Sequence, residues 1–183
     1  MGELESRVHI RRVESRDKRE LLALNQSSVS LHSPWITTPL TSHSFRSYYR
    51  RTLRDDHEGI LCCLNDGNKI VGVFNLNGIV RGSFQSTTIG YYSSVEHTGK
   101  GYMTEGLNQV LKFAFENLGL HRVEANIQPN NDPSRKLVQR CGFVLEGFSA
   151  KFLFIDGQWR DHERWVAFDE REALHRIPSL IDR

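Results

Sequence analysis

The sequence is poor in cysteine. Its three cysteines, Cys62, Cys63 and Cys141, are an odd number, and two of them are adjacent in the chain. They give no CxxC spacing for zinc and none of the cysteine density typical of disulfide-stabilised secreted domains. We therefore expect no metal site and no disulfide framework.

Long apolar runs and a strong charge of one sign are missing as well. No stretch approaches the roughly 20 apolar residues of a membrane span, and the charged N-terminus does not resemble a secretory signal. A formal net charge of +2 is too small to indicate nucleic-acid binding. These absences predict a cytoplasmic protein without a membrane partner and without direct evidence for a nucleic-acid partner.

The composition is that of a globular chain, with 38% hydrophobic and 25% charged residues among 183. A chain of this length buries a substantial core and most simply forms one domain. We expect a single domain over residues 1–183, with its core at about 7–169 and a tail at 170–183.

Strand and helix patterns alternate along the chain without an internal repeat. Helical patterns cover residues 17–31, 42–53 with Thr41 or Ser42 as the cap, 102–118, and a segment opening at Asp132-Pro133. Strand patterns cover residues 8–13, 60–64, 69–76, 87–92, 122–127, 145–155 and 159–168. The alternation predicts an α/β fold, a mixed twisted central sheet with helices on both faces.

A glycine-containing loop, residues 98–104, leads into the most clearly amphipathic helix pattern. Its glycines allow a ligand to approach the backbone closely, and the helix start supplies free N–H groups and a positive dipole end. Both suit a phosphate or pyrophosphate. The loop is not a Walker P-loop, because Ser94 stands where the first glycine belongs, and it is not a dinucleotide fingerprint, because Thr104 replaces the third glycine.

A second motif follows about thirty residues later. Asn131-Asp132-Pro133-Ser134 opens a helix, and Cys141-Gly142-Phe143 ends it. A phosphate loop followed at this distance by an Asn/Ser helix cap suggests a phosphate-bearing cofactor with a reactive group near its other end.

The two motifs together resemble a known family. Gly99-Lys100-Gly101-Tyr102-Met103-Thr104-Glu105 is similar to the pyrophosphate loop of the GNAT acyltransferase superfamily, and residues 131–134 with Gly142-Phe143 resemble the second block of its RimJ/RimL branch. Residues 80–84 and 156–162 resemble the RimJ group, which acetylates the N-terminal alanine of a ribosomal protein. The resemblance spans roughly residues 7–169.

The resemblance implies the GNAT fold, with acyl-CoA lying where two central strands splay apart. It implies that Ser134 acts as general acid to the CoA thiolate, and that the backbone N–H of Tyr92 contacts the thioester carbonyl. The cofactor-binding residues that it implies are Tyr91, Tyr92, Ser93, Thr98, Gly99, Lys100, Gly101, Tyr102, Met103, Thr104, Asn126, Asn131, Ser134, Arg135 and Leu137. It implies no metal.

The general base is not identified by the sequence. Many relatives carry Glu where this chain has Thr88. The candidates for a base acting through water are Glu105, Glu124, Asp161, His97 and His162, each with a solvated surface role as the alternative. A site without a strong base suits an α-amine, of pKa about 7.7–8.0, better than a lysine amine, of pKa about 10.4.

We expect an acetyl-CoA-dependent N-acetyltransferase whose acceptor is a protein N-terminal amine, for example that of a ribosomal protein, attacking directly in a ternary complex. Cys141 is at a packing position, so no acyl-enzyme is expected. Acetylation of a small amine such as an antibiotic, polyamine or amino acid stays open, as does a non-catalytic acyl-CoA-binding module. The sequence leaves the oligomeric state open.

Overall fold

The computed structural model describes residues 5–170, so the predicted tail lies outside the described residues except for Glu170. These residues form one seven-stranded sheet in the order β1-β2-β3-β4-β5-β7-β6. Its strands are β1 Val8–Arg12, β2 His57–Leu64, β3 Ile70–Val80, β4 Ser86–Ser93, β5 Arg122–Ile127, β6 Val144–Ile155 and β7 Gln158–Phe168.

Five α-helices connect or cover these strands. They are α1 Lys18–Ser27, α2 Val29–His32, α3 Ser42–Thr52, α4 Tyr102–Lys112 and α5 Asp132–Arg140. Thr41 is the cap of α3, since its side chain accepts a hydrogen bond from the N–H of Ser44. None of the helices within residues 5–170 is long and apolar enough to cross a membrane.

Helices cover both faces of the sheet, as predicted. On one face α4 and α5 enclose a core that includes Leu107 and Val110, both completely buried. The other face packs against α1 and α3, with Leu21 and Phe45 at the centre of a second cluster. The apolar stripe of the sequence therefore marks the buried side of α4.

One parallel strand pair lies at the centre of an otherwise antiparallel sheet. β4 pairs with β5 only from Ser86↔Arg122 to Thr88↔Glu124. Beyond Thr88 the two strands part, while β4 continues its ladder with β3 as far as Ser93. The crossover between the parallel strands contains α4, as a parallel connection requires. The sheet thus opens between β4 and β5 beside the start of α5.

The helix predicted at residues 17–31 is interrupted. Ser28 leaves helical geometry and separates α1 from α2, and it is completely buried. Its hydroxyl accepts a hydrogen bond from the N–H of Val95 at 3.0 Å. A serine side chain that satisfies a distant backbone group has no counterpart in the helical periodicity, so the break was not visible in the sequence.

Candidate active site

A cavity of about 90 Å³ occupies the opening between β4 and β5. Its walls are residues 89–91 of β4, residues 125–128 at the end of β5, Asn131 and Ser134 at the start of α5, Trp35 with Ile36 from the loop after α2, and His162 of β7. A larger open groove of about 620 Å³ lies elsewhere and contains no residue of the glycine loop or of the Asn131–Ser134 motif. The cavity contains Asn131 and Ser134 of the second motif, whereas none of residues 98–104 of the glycine loop lines it.

Ser134 and Tyr91 form a short hydrogen bond at this cavity. The Tyr91 hydroxyl and Ser134 Oγ are 2.6 Å apart. The Asn131 side chain accepts a hydrogen bond from the N–H of Ser134 at 3.3 Å and caps α5, which fixes Ser134 at the helix start. Burial raises the pKa of Tyr91, so its phenol keeps its proton and can relay one to Ser134.

Asn126 presents an unsatisfied acceptor in the cavity wall. Its Nδ2 donates to Glu124 Oε1 at 3.0 Å, whereas its Oδ1 is buried without a hydrogen-bond partner among the described residues. Buried polar atoms are normally hydrogen-bonded, so an orphaned acceptor calls for a bound donor. An amide N–H of a pantetheine arm fits this requirement.

The backbone of β4 exposes donors on its open side. The N–H of Ser94 donates to the carbonyl of Val71 in the direction of β3. Donors alternate along a strand, and the β3–β4 register is regular here, so the N–H of Tyr92 also points to β3. The N–H groups of Tyr91 and Ser93 point to the opening. The geometry therefore leaves the N–H groups of Tyr91 and Ser93, and not that of Tyr92, free to contact a ligand in the opening.

The loop before α4 has the geometry of an anion site. Gly99 and Gly101 have φ of 72° and 85°, a region that favours glycine. The N–H groups of residues 99–103 donate to no other described residue. Arg7 supports the loop from below, donating to the carbonyl of Lys100 at 2.8 Å and forming an ion pair with Glu105.

Three other predicted cofactor-binding residues contact neighbouring residues of the protein. Met103 directs its side chain onto Gly72 of β3, where a Cβ would collide with its sulfur, so only its backbone faces the loop. Leu137 packs against the core. Arg135 donates to Glu163 at 3.0 Å and to Asp132 at 3.1 Å, so it would have to leave one carboxylate to bind a CoA phosphate.

Of the five candidate bases, the structure brings only His162 into the cavity wall. Glu105 is held by Arg7 outside it, and Glu124 accepts hydrogen bonds from Arg122 and Asn126. Asp161 is exposed and accepts the N–H of Lys151, and His97 stands beside Tyr102 at the loop.

Cys141 is poorly suited to act as a nucleophile. Its thiol contacts the carbonyl of Thr104 at 3.7 Å, and burial raises its pKa to about 11. A nucleophilic cysteine needs a substantial thiolate fraction at neutral pH. The packing position expected for Cys141 is what the structure shows.

Sequence reasoning missed the side chain of Tyr91 and the residues that hold Trp35. Alternation along β4 could have indicated that Tyr91 and Tyr92 face opposite sides of the sheet. His32 holds the Trp35 loop, because its Nε2 donates to the carbonyl of Ser93 at 2.9 Å. That contact joins residues 61 positions apart, which no local pattern reveals.

Comparison with known proteins gives the family. Residues 7–144 match the acetyltransferase (GNAT) domain. The chain belongs to the GNAT family. This GNAT enzyme is an N-acetyltransferase, and its mixed seven-stranded sheet is the GNAT fold. It is 32% identical over 166 residues, 85% of its length and 91% of the other, to the "Probable N-acetyltransferase YjcK" of Bacillus subtilis (strain 168).

Two further relatives differ in acceptor. This GNAT chain is 41% identical over 97 residues, 53% of its length and 50% of the other, to the ribosomal protein uS5-alanine N-acetyltransferase of Escherichia coli (strain K12). It is 26% identical over 162 residues, 88% of its length and 92% of the other, to the spermidine N(1)-acetyltransferase of Vibrio cholerae. The resemblance to RimJ/RimL proteins is therefore confirmed, whereas the relatives disagree about the acceptor.

A solved structure agrees with this assignment. RimJ of Mycobacterium smegmatis in complex with a CoA disulfide superimposes with a TM-score of 0.82 at 26% identity, covering 90% of this chain and 83% of the other. The CoA compound is a ligand of that protein.

Proposed function

We propose that this GNAT enzyme uses acetyl-CoA to acetylate the N-terminal α-amine of a protein, for example a ribosomal protein. The observation that carries the proposal is the opening between β4 and β5, where the Tyr91–Ser134 hydrogen bond and the free acceptor of Asn126 lie in one cavity. The residues fit the elongated, phosphate-bearing thioester that the family uses.

Each part of the site has a role in this proposal. The N–H groups of residues 99–103 would hold the pyrophosphate, and Asn126 and Asn131 the pantetheine arm. The N–H groups of Tyr91 and Ser93 would stabilise the oxyanion, a contribution worth about 3–4 kcal/mol per donor in comparable sites. Ser134 would protonate the departing thiolate, with its proton replaced through Tyr91.

The electrostatics of the cavity favour an α-amine over a polyamine. No Asp or Glu side chain lines it among the described residues, so a ligand with several ammonium groups would lack counter-charges there. At pH 7 an α-amine costs about 1–1.4 kcal/mol to deprotonate, whereas a lysine amine costs about 4.6 kcal/mol. A cavity without carboxylates therefore suits the α-amine, because its deprotonation costs less free energy than that of a lysine amine.

Spermidine is the second candidate acceptor, since a relative with that activity matches most of the chain. The test follows CoA release from acetyl-CoA with peptides that begin with free Ala or Ser, the same peptides N-terminally blocked and containing lysine, spermidine, and an aminoglycoside. Turnover confined to free N-termini is the expected result. Turnover with spermidine and none with peptides would overturn the proposal.

A further inference from the structure

A buried histidine reaches the cavity from the strand beyond β5. His162 lies in β7, opposite Ser149 of β6, and only 2% of its surface is exposed. His162 is one of the residues that line the cavity, together with Tyr91 and Ser134. The proposed function gives the side chain of His162 no role in binding the cofactor.

The hydrogen bonding of His162 fixes which ring nitrogen carries the hydrogen. Nδ1 lies 3.0 Å from the carbonyl oxygen of Arg160. A carbonyl oxygen only accepts, so Nδ1 is the donor and Nε2 holds the lone pair. The described residues offer Nε2 no hydrogen-bond partner. The ring is therefore oriented as in sites where one nitrogen is anchored and the other accepts a proton.

Only two titratable side chains line the cavity in the described part of the chain, Tyr91 and His162. Burial raises the pKa of Tyr91, so the phenol cannot accept a proton at neutral pH. Burial lowers the pKa of His162 below its usual 6.5, so the imidazole is neutral and able to accept one.

Along β7, the charged residues Arg160 and Arg164 share the side of the strand on which His162 lies, whereas Asp161 faces the opposite side. Asp161 on the same strand opposes the effect of burial, and its carboxylate is exposed and bound to the N–H of Lys151. β6 contributes the edge of the Phe152 ring, with centroids 6.0 Å apart. β5 contributes the uncharged residues 125–128, and α5 contributes Ser134.

We propose that His162 is the general base of acetyl transfer, with Nε2 accepting the proton of the attacking amine. This inference rests on the proposed function. As the amine nitrogen bonds to the thioester carbon, the C=O π pair moves to oxygen and the N–H proton passes to Nε2. The C–S bond then breaks as the carbonyl reforms, and the sulfur takes a proton from Ser134. His162 releases its proton to solvent, and Ser134 regains one through Tyr91.

The positions of donor and acceptor support this division of roles. Ser134 approaches the cavity from the start of α5, and His162 approaches it from β7, so the acid and the base belong to different elements around one space. Such separation suits a reaction in which one proton leaves nitrogen and another reaches sulfur.

The test is His162→Asn, because an amide N–H can replace Nδ1–H as donor to the Arg160 carbonyl and has no basic nitrogen. His57→Asn is the matched control, since His57 lies in β2 beside Asp56, away from the cavity. The acceptor is an Ala-initiated peptide, or spermidine if the wild type uses only that. We expect His162→Asn to lower kcat about 100-fold and to leave the affinity for acetyl-CoA unchanged. The control variant should keep the wild-type kcat.

The pH profile distinguishes a base from a packing residue. In the wild type kcat should fall as pH drops through a value below 6.5, where His162 becomes protonated, and His162→Asn should lose this limb. A variant with wild-type kcat and the same limb would overturn the inference alone. No turnover by the wild type with any amine would overturn the proposed function and the inference together.

An independent measurement needs no variant. Nitrogen-15 NMR of the histidine rings should show His162 in the Nδ1–H form, titrating below 6.5. Observation of the Nε2–H form would overturn the inference even if His162→Asn fails to fold.

Discussion

At the scale of single residues, the sequence indicates which side chains could act in the site, and the structure shows which residues they contact. Ser134 was expected from its motif, and the structure supplies its partner, Tyr91. His162 is one of five candidate bases, and it is the one of the five that lines the cavity. The sequence therefore identifies Ser134 and His162 as candidates, but it does not identify the residues around them.

Ser134→Ala should lower kcat about 100-fold while leaving acetyl-CoA affinity nearly unchanged, because the hydroxyl acts on the leaving sulfur. Tyr91→Phe should lower kcat less, since serine can exchange protons with water. The two effects should not add, because the hydroxyls are in contact. Steady-state kinetics of the single and double variants measures the coupling.

Ser47→Ala is the control for that cycle, since Ser47 is exposed on α3. Additive effects of the Ser134 and Tyr91 substitutions would contradict a shared proton path.

At the scale of elements, the proposed function combines the loop before α4 and the opening of the sheet into one binding site. The loop's donors are free because the first N–H groups of a helix have no partner within it, and Gly99 and Gly101 adopt the positive φ that the loop before α4 requires. The opening exists because β5 stops pairing with β4 after Thr88. The first feature is written in the local sequence, and the second results from strand pairing over long distances.

Gly101→Ala should weaken CoA binding about tenfold, equivalent to about 1.4 kcal/mol. Alanine is strained at φ of 85°, and relief of that strain would turn the N–H donors away from the phosphate. The measurement is calorimetric titration with CoA.

Gly67→Ala is the matched control, because Gly67 has φ of 72° in the turn between β2 and β3 with open space around a new Cβ. Both variants should lose similar stability. Equal CoA affinity in the two variants would show that the loop does not hold the pyrophosphate.

At the scale of the whole molecule, a partly buried ion pair joins the first strand to Asp17, the residue directly before α1. Arg11 Nη1 and Nη2 donate to the two oxygens of Asp17 at 2.8 Å each, and Asp17 also accepts the N–H of Glu14. Burial alone would raise the pKa of Asp17, but these hydrogen bonds outweigh it and hold the pKa below its usual 3.8. The stability from this carboxylate is therefore fully present above about pH 4 and lost as pH falls through the lowered value.

Asp17→Asn should reduce the free energy of unfolding by about 3 kcal/mol at pH 7, because it leaves the partly buried guanidinium of Arg11 without its counter-charge. The deficit relative to the wild type should shrink as pH falls below 4. Urea denaturation at pH 7 and pH 3 measures both values.

Asp55→Asn, at an exposed carboxylate, should be neutral at both pH values. A deficit for Asp17→Asn that stays the same at pH 3 would contradict the electrostatic explanation.

Binding should also stabilise the whole fold. CoA at about 100 times its dissociation constant should raise the free energy of unfolding by about 2.7 kcal/mol, provided that it binds only the folded state. Thermal unfolding with CoA, and with adenosine as the control that lacks the pyrophosphate, measures this. A shift of equal size with adenosine would contradict recognition through the loop before α4.

Sequence patterns alone predict the alternation of strands and helices, the buried face of α4 and the two motifs, because each depends on neighbours within a few turns or strand residues. The three-dimensional fold was needed to show that Ser28 breaks a helix, that Tyr91 contacts Ser134, and that His162 alone among the candidate bases lines the cavity. The first two contacts join residues 67 and 43 positions apart. They are set by strand order and by where β4 and β5 separate, and no local periodicity encodes either.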